Sequence, residues 1–158
     1  MHLRPITRNN LYECLALRVG DRQGGLVAAN GKSLAEAYVD SNLVPLGIYP
    51  IAARGHEQPN VAMVGFTMYQ VEARVGFILR LMIDRDYQRQ GYGRATMIEV
   101  IRRLLLHPEV EMIATSHRRD NDAMAQLCAQ LGFVDWEIDW ATDVPDEIYL
   151  WLPDRVPR

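Results

Sequence analysis

Cysteine is nearly missing from this chain: only Cys14 and Cys128 occur among 158 residues. They lie far apart and show no metal-ligand spacing, so neither a disulfide framework nor a metal site is expected to hold the fold. A single bridge between the two stays open, and free thiols in a reducing cytosol are the simpler reading. No apolar run reaches the length of a membrane span, and the opening MHLRPITRNN lacks the apolar segment of a secretion signal. A cytoplasmic protein is expected. Positive charge is not in excess either. Seventeen basic residues stand against 20 acidic ones, and no basic cluster is interleaved with aromatics, which argues against a nucleic-acid partner. Internal repeats, linkers and low-complexity stretches are also missing. What remains, 49% apolar and 23% charged residues, is ordinary for one globular domain over residues 1–158 with its own core.

The most informative stretch is 80–105, RLMIDRDYQRQGYGRATMIEVIRRLL. Leu81, Met82 and Ile83 form an apolar run suited to a buried strand. A charged turn from Asp84 to Gln90 follows. Gly91 and Gly93 then open an amphipathic helix with Met97, Ile98, Ile101, Leu104 and Leu105 on one face. A strand, a glycine turn and a helix together make a place where backbone N–H groups can hold a phosphate, because the first helical turn has unbonded donors and the positive end of the dipole. The spacing excludes G-x-x-x-x-G-K-[ST] and G-x-G-x-x-G, and with them the usual nucleoside triphosphate and dinucleotide loops.

The rest of the chain alternates between strands and helices. A strand is predicted at His2 to Ile6, and a helix capped by Asn9 or Asn10 carries Leu11, Cys14, Leu15 and Leu17. Gln23 to Ala29 reads as a helical turn. Ser33-Leu34-Ala35-Glu36 reads as a capping box opening a helix to about Asn42. Pro45 to Arg54 is extended, with Pro50 placing it at an edge or bulge. Gly55 to Asn60 is a turn. Strands follow at Val61 to Glu72, Val75 to Ile83, Met112 to Ser116, Val134 to Ala141 and Glu147 to Leu152. A helix from Asn121 to Leu131 ends at Gly132.

The segment Gln88-Arg89-Gln90-Gly91-Tyr92-Gly93, read as [Q/R]-x-x-G-x-[G/A], resembles the pyrophosphate loop of the GNAT N-acetyltransferase superfamily. Asn121, Leu127, Gly132 and Phe133 match a second family pattern, N-x-x-A-x-x-L-Y-x-x-x-G-F. The resemblance implies an α/β fold, a mixed and mostly antiparallel central sheet of about six to seven strands flanked by about four helices. It implies acetyl-coenzyme A as co-substrate, held by Arg89, Gln90, Gly91, Tyr92, Gly93 and Arg94. The strand Leu81, Met82 and Ile83 would splay from the strand of Ser116 and offer its amides to pantetheine like an added strand, and Asn121 would contact the same arm.

Two departures from the family concern proton transfer. Cys128 stands where the family has a tyrosine that protonates the leaving thiolate. A thiol there is either that acid or a small buried side chain on the stripe Met124, Leu127, Cys128, Leu131. Tyr92, Tyr87 or water are the other proton sources. Leu79 stands where related enzymes often carry a carboxylate, which leaves Glu72, Glu36 or a water chain as the base, while Arg80 is expected to pair with an acid.

Further resemblance, at 23–37, 64–69 and 80–84, is to bacterial spermine/spermidine N-acetyltransferases. It implies a small-molecule amine substrate, a polyamine, in a cleft of carboxylates and aromatics. Glu36 and Glu147 are the preferred ligands, among Glu13, Glu72, Asp84, Asp135, Glu137, Asp139, Asp143 and Asp146. Trp136, Trp140, Tyr149 and Trp151 interleave with the acidic carboxy-terminal run. Other amines (an aminoglycoside, an amino acid, a protein amino group) or a non-catalytic acyl-coenzyme A sensor are the competing readings. Family members often dimerise, and the edge at 48–54 or the last strands is where a homodimer contact is expected.

Overall fold

The computed structural model describes residues 1–51, 61–137 and 146–153. In chain order it runs β1 (His2–Pro5), α1 (Leu11–Ala16), α2 (Asn30–Val39), β2 (Leu43–Tyr49), β3 (Gly65–Glu72) and β4 (Val75–Ile83). Then come α3 (Tyr92–Leu105), β5 (Met112–Arg118), α4 (Asp122–Leu131), β6 (Val134–Asp135) and β7 (Glu147–Trp151). The strands form one sheet in the order β1-β2-β3-β4-β5-β7-β6. Every pairing is antiparallel except β4 with β5, where α3 makes the crossover that a parallel pair requires. This is the α/β architecture with a mostly antiparallel sheet that the family resemblance implied.

Two apolar clusters cover the two faces of the sheet. On one side Met97, Val100, Ile101 and Leu104 of α3 and Cys128 and Leu131 of α4 pack with Ile48 and Ile78. On the other, Cys14 of α1 packs with Met63, Phe66, Met68 and Met82. α3 buries its apolar stripe and turns Arg102 and Arg103 outward onto Glu99, with N–O distances of 2.8 and 3.0 Å. Those two guanidiniums hold the Glu99 carboxyl down at about 2, against an ordinary 4.5. Arg103 also donates to the Leu3 carbonyl at 2.9 Å, tying the helix to β1.

Several boundaries differ from the sequence reading. α2 starts at Asn30, a turn before the expected capping box. Asn30 is buried and donates from Nδ2 to the Cys14 carbonyl at 2.9 Å, which fixes the first turn against α1. Ser33 is therefore interior to the helix and bonds back to Ala29 O instead of capping. The helical turn expected at 23–29 falls earlier, at Asp21–Gln23; after it Gly25 sits at φ +91° and Gly24 bridges Val27. Asn10 stands before α1, but its Oδ1 accepts from Thr7 N at 2.7 Å and caps nothing in the helix.

The strand at 61–72 begins only at Gly65, and β2 ends at Tyr49, before Pro50. β2 is not an edge. Ile48 is fully buried between Leu3 of β1 and Gly65 of β3, so it offers no free ladder to a second copy. Residues 52–60, including the expected turn at 55–60, and the 138–145 stretch with Asp139, Trp140 and Asp143 lie outside the described residues. Both cysteines are free and buried.

Candidate active site

The feature that organises the site is where one ladder stops. β4 and β5 pair from Val75 with Met112 to Ile78 with Thr115, and no further. Beyond that point β4 continues along β3 to Ile83, while β5 continues along β7 to Arg118. The two strands open into a V. The hydroxyl of Thr115 closes its apex by donating to the Ile78 carbonyl at 2.9 Å. Among the described residues the β4 arm, Leu79 to Ile83, thus has a strand partner on one side only, which is the condition for binding an extended, amide-bearing ligand.

A β-bulge sets which way that arm faces. Met68 pairs with Arg80 and Tyr69 with Ile78, leaving Leu79 as the extra residue. A one-residue slip exchanges the faces of everything beyond it. Ile78 points into the α3 and α4 cluster, whereas Met82, of the same parity, joins the α1 cluster with Phe66 and Met63; Leu81 and Ile83 turn toward α3. Nothing in the unbroken apolar run around Leu79 announces this in the sequence.

The loop after β4 is held by its own side chains. Asp84 is buried, and its two oxygens accept from Arg18 N at 2.7 Å and Asp86 N at 3.0 Å. Gln88 donates from Nε2 to Ile83 O at 3.0 Å and to Gln23 Oε1 at 2.7 Å. Asp84 is thereby a loop anchor and not a cleft acid. Arg89 at φ 60° and Gly91 at φ 81° then turn the chain into the start of α3 through left-handed backbone. Gly91 is the cap and brings no side chain, so the amides of Tyr92 and Gly93 face outward with no carbonyl inside the helix to bond.

Two cavities run through this geometry. A groove of about 850 Å³ lies between the β4 arm (Ile78 to Met82), the β5 arm (Thr115 to Arg118) and the 24–32 segment before and within α2. It adjoins a cavity of about 390 Å³ over the loop, and the two share Leu81, Met82 and Asn121. Ile83, Arg89, Gly91, Tyr92 and Gly93 line the loop cavity, so the structure gathers most of the residues expected to hold the cofactor. Gln90 and Arg94 are exposed beside it. Asn121 caps α4 by accepting from Met124 N at 3.1 Å.

The residues expected to move protons are placed differently. Cys128 is wholly buried in the core, contributes to neither cavity, and burial pushes its thiol up to about 12. A cysteine reaches much less far than the family's tyrosine, and here it fills space between α4 and the sheet. Glu72 is exposed at the β3–β4 hairpin, level with Val75, so it stands about 10 Å up the strand from the apex of the V. It does not reach the opening where a thioester would sit. Glu36 is already paired, with Arg80 at 3.4 Å and Lys32 at 3.8 Å. Glu13 accepts from Met63 N at 2.6 Å and is structural.

Glu147 does reach the opening. It lines the groove and also a third cavity of about 500 Å³ on the sheet face that bears α1 and α2. That cavity holds Glu72, Phe77, Trp136 and Tyr149, and joins the groove through Leu79, Arg80, Ser116 and Glu147. His117, Ser116 and Arg18 are groove residues that the sequence did not single out. A histidine or serine in a short strand, or an arginine in a loop, carries no periodic signal, and only the strand pairing brings them here.

A family profile described as Acetyltransferase (GNAT) family matches residues 30–133, well over half of the chain. No curated protein sequence matches. Among solved structures, the chain is similar to the PaiA N-acetyltransferase of Thermoplasma acidophilum in complex with coenzyme A. Identity is 11%, coverage is 96% of this chain and 97% of that one, and the TM-score is 0.68. It is also similar to the ribosomal-protein-S18-alanine N-acetyltransferase of Escherichia coli, at 20% identity, with coverage of 96% and 92% and a TM-score of 0.67. A spermidine N-acetyltransferase SpeG chimera from Vibrio cholerae and hSSAT gives 12% identity, 96% and 95% coverage and a TM-score of 0.67. At such identities the likeness carries the fold alone. With the profile spanning α2 through α4, and with the open V and the glycine-capped loop inside that span, the chain belongs to the Acetyltransferase (GNAT) family.

Proposed function

We propose that the protein transfers the acetyl group of acetyl-coenzyme A to a primary amine of a small polycation of the spermidine type, by direct attack with both substrates bound. The pyrophosphate would lie on the amides of Tyr92 and Gly93 after the Gly91 cap, with Arg89, Gln90 and Arg94 beside them. Pantetheine would run along Leu81, Met82 and Ile83 past Asn121, bringing the thioester to the apex of the V. Those residues fit the group, because among the described residues the strand arm has no ladder with β5 and the first turn of α3 has no side-chain cap.

The observation that carries the polyamine reading is the third cavity. It communicates with the apex, and its walls combine carboxylates at Glu72 and Glu147 with the rings of Phe77, Trp136 and Tyr149. An acceptor whose reacting amine enters the V places its next ammonium groups among these acids and aromatic faces, which suit a flexible polycation. Glu72 then serves the far end of the acceptor, and Glu36 acts by holding Arg80. Arg80 supplies the one observation that favours another acceptor. Arg80 lines both cavities, so an amine bearing a carboxylate, such as an amino acid, would find a partner there in competition with Glu36.

Thiol release from acetyl-coenzyme A is measured with spermidine, spermine, an aminoglycoside, lysine and a short peptide. Turnover led by the polyamines, with KM raised by Glu147→Gln, is the expected result. Preference for lysine or the peptide would move the assignment to Arg80. Binding of acetyl-coenzyme A with no turnover on any amine would replace catalysis by a sensing role.

A further inference from the structure

Acetyl transfer requires the attacking nitrogen to lose a proton and the departing sulfur to gain one. Neither Cys128 nor Glu72 is at the opening where this happens. One imidazole is. His117 is the second residue of β5 beyond Thr115, where the ladder with β4 ends, and it shares a strand face with Ile113 and Thr115. It is only 6% exposed, and it lines the groove across from the Leu79 to Met82 arm, beside Asn121 and Met124.

Its Nδ1 lies 2.8 Å from the carbonyl oxygen of Arg118. A carbonyl only accepts, so in the neutral ring the proton sits on Nδ1 and the lone pair on Nε2. Nε2 has no hydrogen-bond partner among the described residues. The side chain is thus held in one tautomer by the backbone, with a free basic nitrogen left for the groove.

We propose that His117 is the proton carrier of the reaction: Nε2 takes the proton shed by the attacking nitrogen and delivers it to the departing sulfur. The inference rests on the acetyl-transfer reading above. The amine enters as the free base, its ammonium proton already released to solvent, and its lone pair forms the C–N bond to the acetyl carbon. The C–S bond breaks with its electron pair on sulfur. One proton passes from nitrogen to sulfur through the imidazole, which ends as it began. The role that the family's tyrosine fills from α4 is thereby taken up from β5, on the other wall of the V.

The charged groups that line the same groove are Arg18, Lys32, Arg80, Arg118 and Glu147. α4 presents Asn121 and Met124, which do not titrate, and β7 places Ile148 opposite His117. Glu147 is the acidic side chain in that lining, so Glu147→Gln, measured with the same amine, is the control.

The test is the pH dependence of kcat for the unaltered protein, His117→Gln and His117→Ala, at saturating acetyl-coenzyme A and the best amine of the panel. Both variants should lose about 100-fold in kcat, together with the acid limb, which Glu147→Gln keeps. KM for acetyl-coenzyme A should stay within about threefold, because the missing interaction belongs to the transition state. Imidazole added to the buffer should restore part of the His117→Ala rate, which a merely structural role would not allow. A second readout needs no variant to be active. Coenzyme A alone should shift the His117 ring resonances of the unaltered protein, identified by their loss in His117→Gln. A retained acid limb with kcat within about threefold, a loss confined to KM, or ring resonances indifferent to coenzyme A would each overturn the proposal. If the unaltered protein turns over no amine, the acetyl-transfer reading fails first and takes the proposal with it; failure of the variants' test in an active enzyme leaves that reading standing.

Discussion

The amino termini of α3 and α4 both border the cavity over the loop, yet they are finished in opposite ways. α4 is closed by its own chain: Asn121 accepts from Met124 N, and Asp122 stands in the first turn. α3 is left open. Its cap is Gly91 in left-handed backbone with no side chain, and no acid stands in its first turn. A capping side chain is worth about 1 kcal/mol to a helix, so leaving it out costs stability. α3 has other means of support: a fully buried stripe, and at its far end the Glu99 clamp onto Arg102 and Arg103 with Arg103 reaching back to β1. The contrast separates a helix start closed by its own side chain from one left without a side-chain cap, where the proposed function puts the pyrophosphate.

The sharpest way to break this contrast is at Gly91. A Cβ there meets no atom within 4 Å, so a substitution is opposed by the φ of 81° and by whatever approaches the loop, not by crowding. Gly91→Val should raise the Kd for coenzyme A roughly tenfold or more, since left-handed backbone costs an L-residue about 1–2 kcal/mol. Calorimetry reads it. Gly93→Ala is the control, because its Cβ would meet Leu127 at an ordinary 3.7 Å. A weakening by Gly93→Ala equal to that of Gly91→Val would mean that the loop's conformation is not what holds the ligand.

At α4 the expectation reverses. Asn121→Ala should cost about 1 kcal/mol of stability in urea unfolding, and Asn121→Asp should recover most of it. An unchanged midpoint would show that the cap does not support the helix. Further along α4, Cys128→Ala should cost about 1 kcal/mol as well, through lost packing in the core. Its kcat should stay within about twofold, since the thiol is buried and pushed up to about 12. A large loss of kcat without loss of stability would return Cys128 to the chemistry.

The smallest effect concerns the clamp that supports α3. The Glu99 carboxyl is held down at about 2 against an ordinary 4.5, chiefly by its hydrogen bond from Arg102. A lowered carboxyl adds stability that is complete above about 4.5 and fades as pH falls toward about 2. Thermal melting of Glu99→Gln should therefore show a shallower loss across that window than the unaltered protein does. Parallel curves would mean that the clamp contributes nothing.

Much of the fold was legible along the chain. Val75 to Ile83, the helix after Gly91 and the helix from Asn121 to Gly132 were placed from apolar period, glycine and cap residues, and the structure puts them there. The region before β2 was less legible. α2 starts where Asn30 meets Cys14 O, a contact between residues 16 apart, and the local capping pattern at Ser33 could not register it. Pro50 pointed to an edge or bulge within a run to Arg54, whereas β2 ends just before it and β1 covers the other side of that strand. The loop half of the site was readable for the same local reason: a glycine that must be left-handed and a helix that must begin are both written within a few residues.

Cys128, Glu72 and His117 mark the other limit. Each is defined by distance from the apex of the V, and that apex exists only because one ladder stops at Ile78 and Thr115 while its neighbours continue. By itself the sequence determined the element types, the open helix cap and the family pattern, because backbone sterics and hydrophobic period act over a turn or two. Tertiary structure alone decided the splay, the bulge at Leu79 that reverses the β4 arm, the burial of Cys128 and the arrival of His117 at the groove. Those depend on which strands pair and where pairing ends, a balance of contacts between residues tens of positions apart that no local window contains.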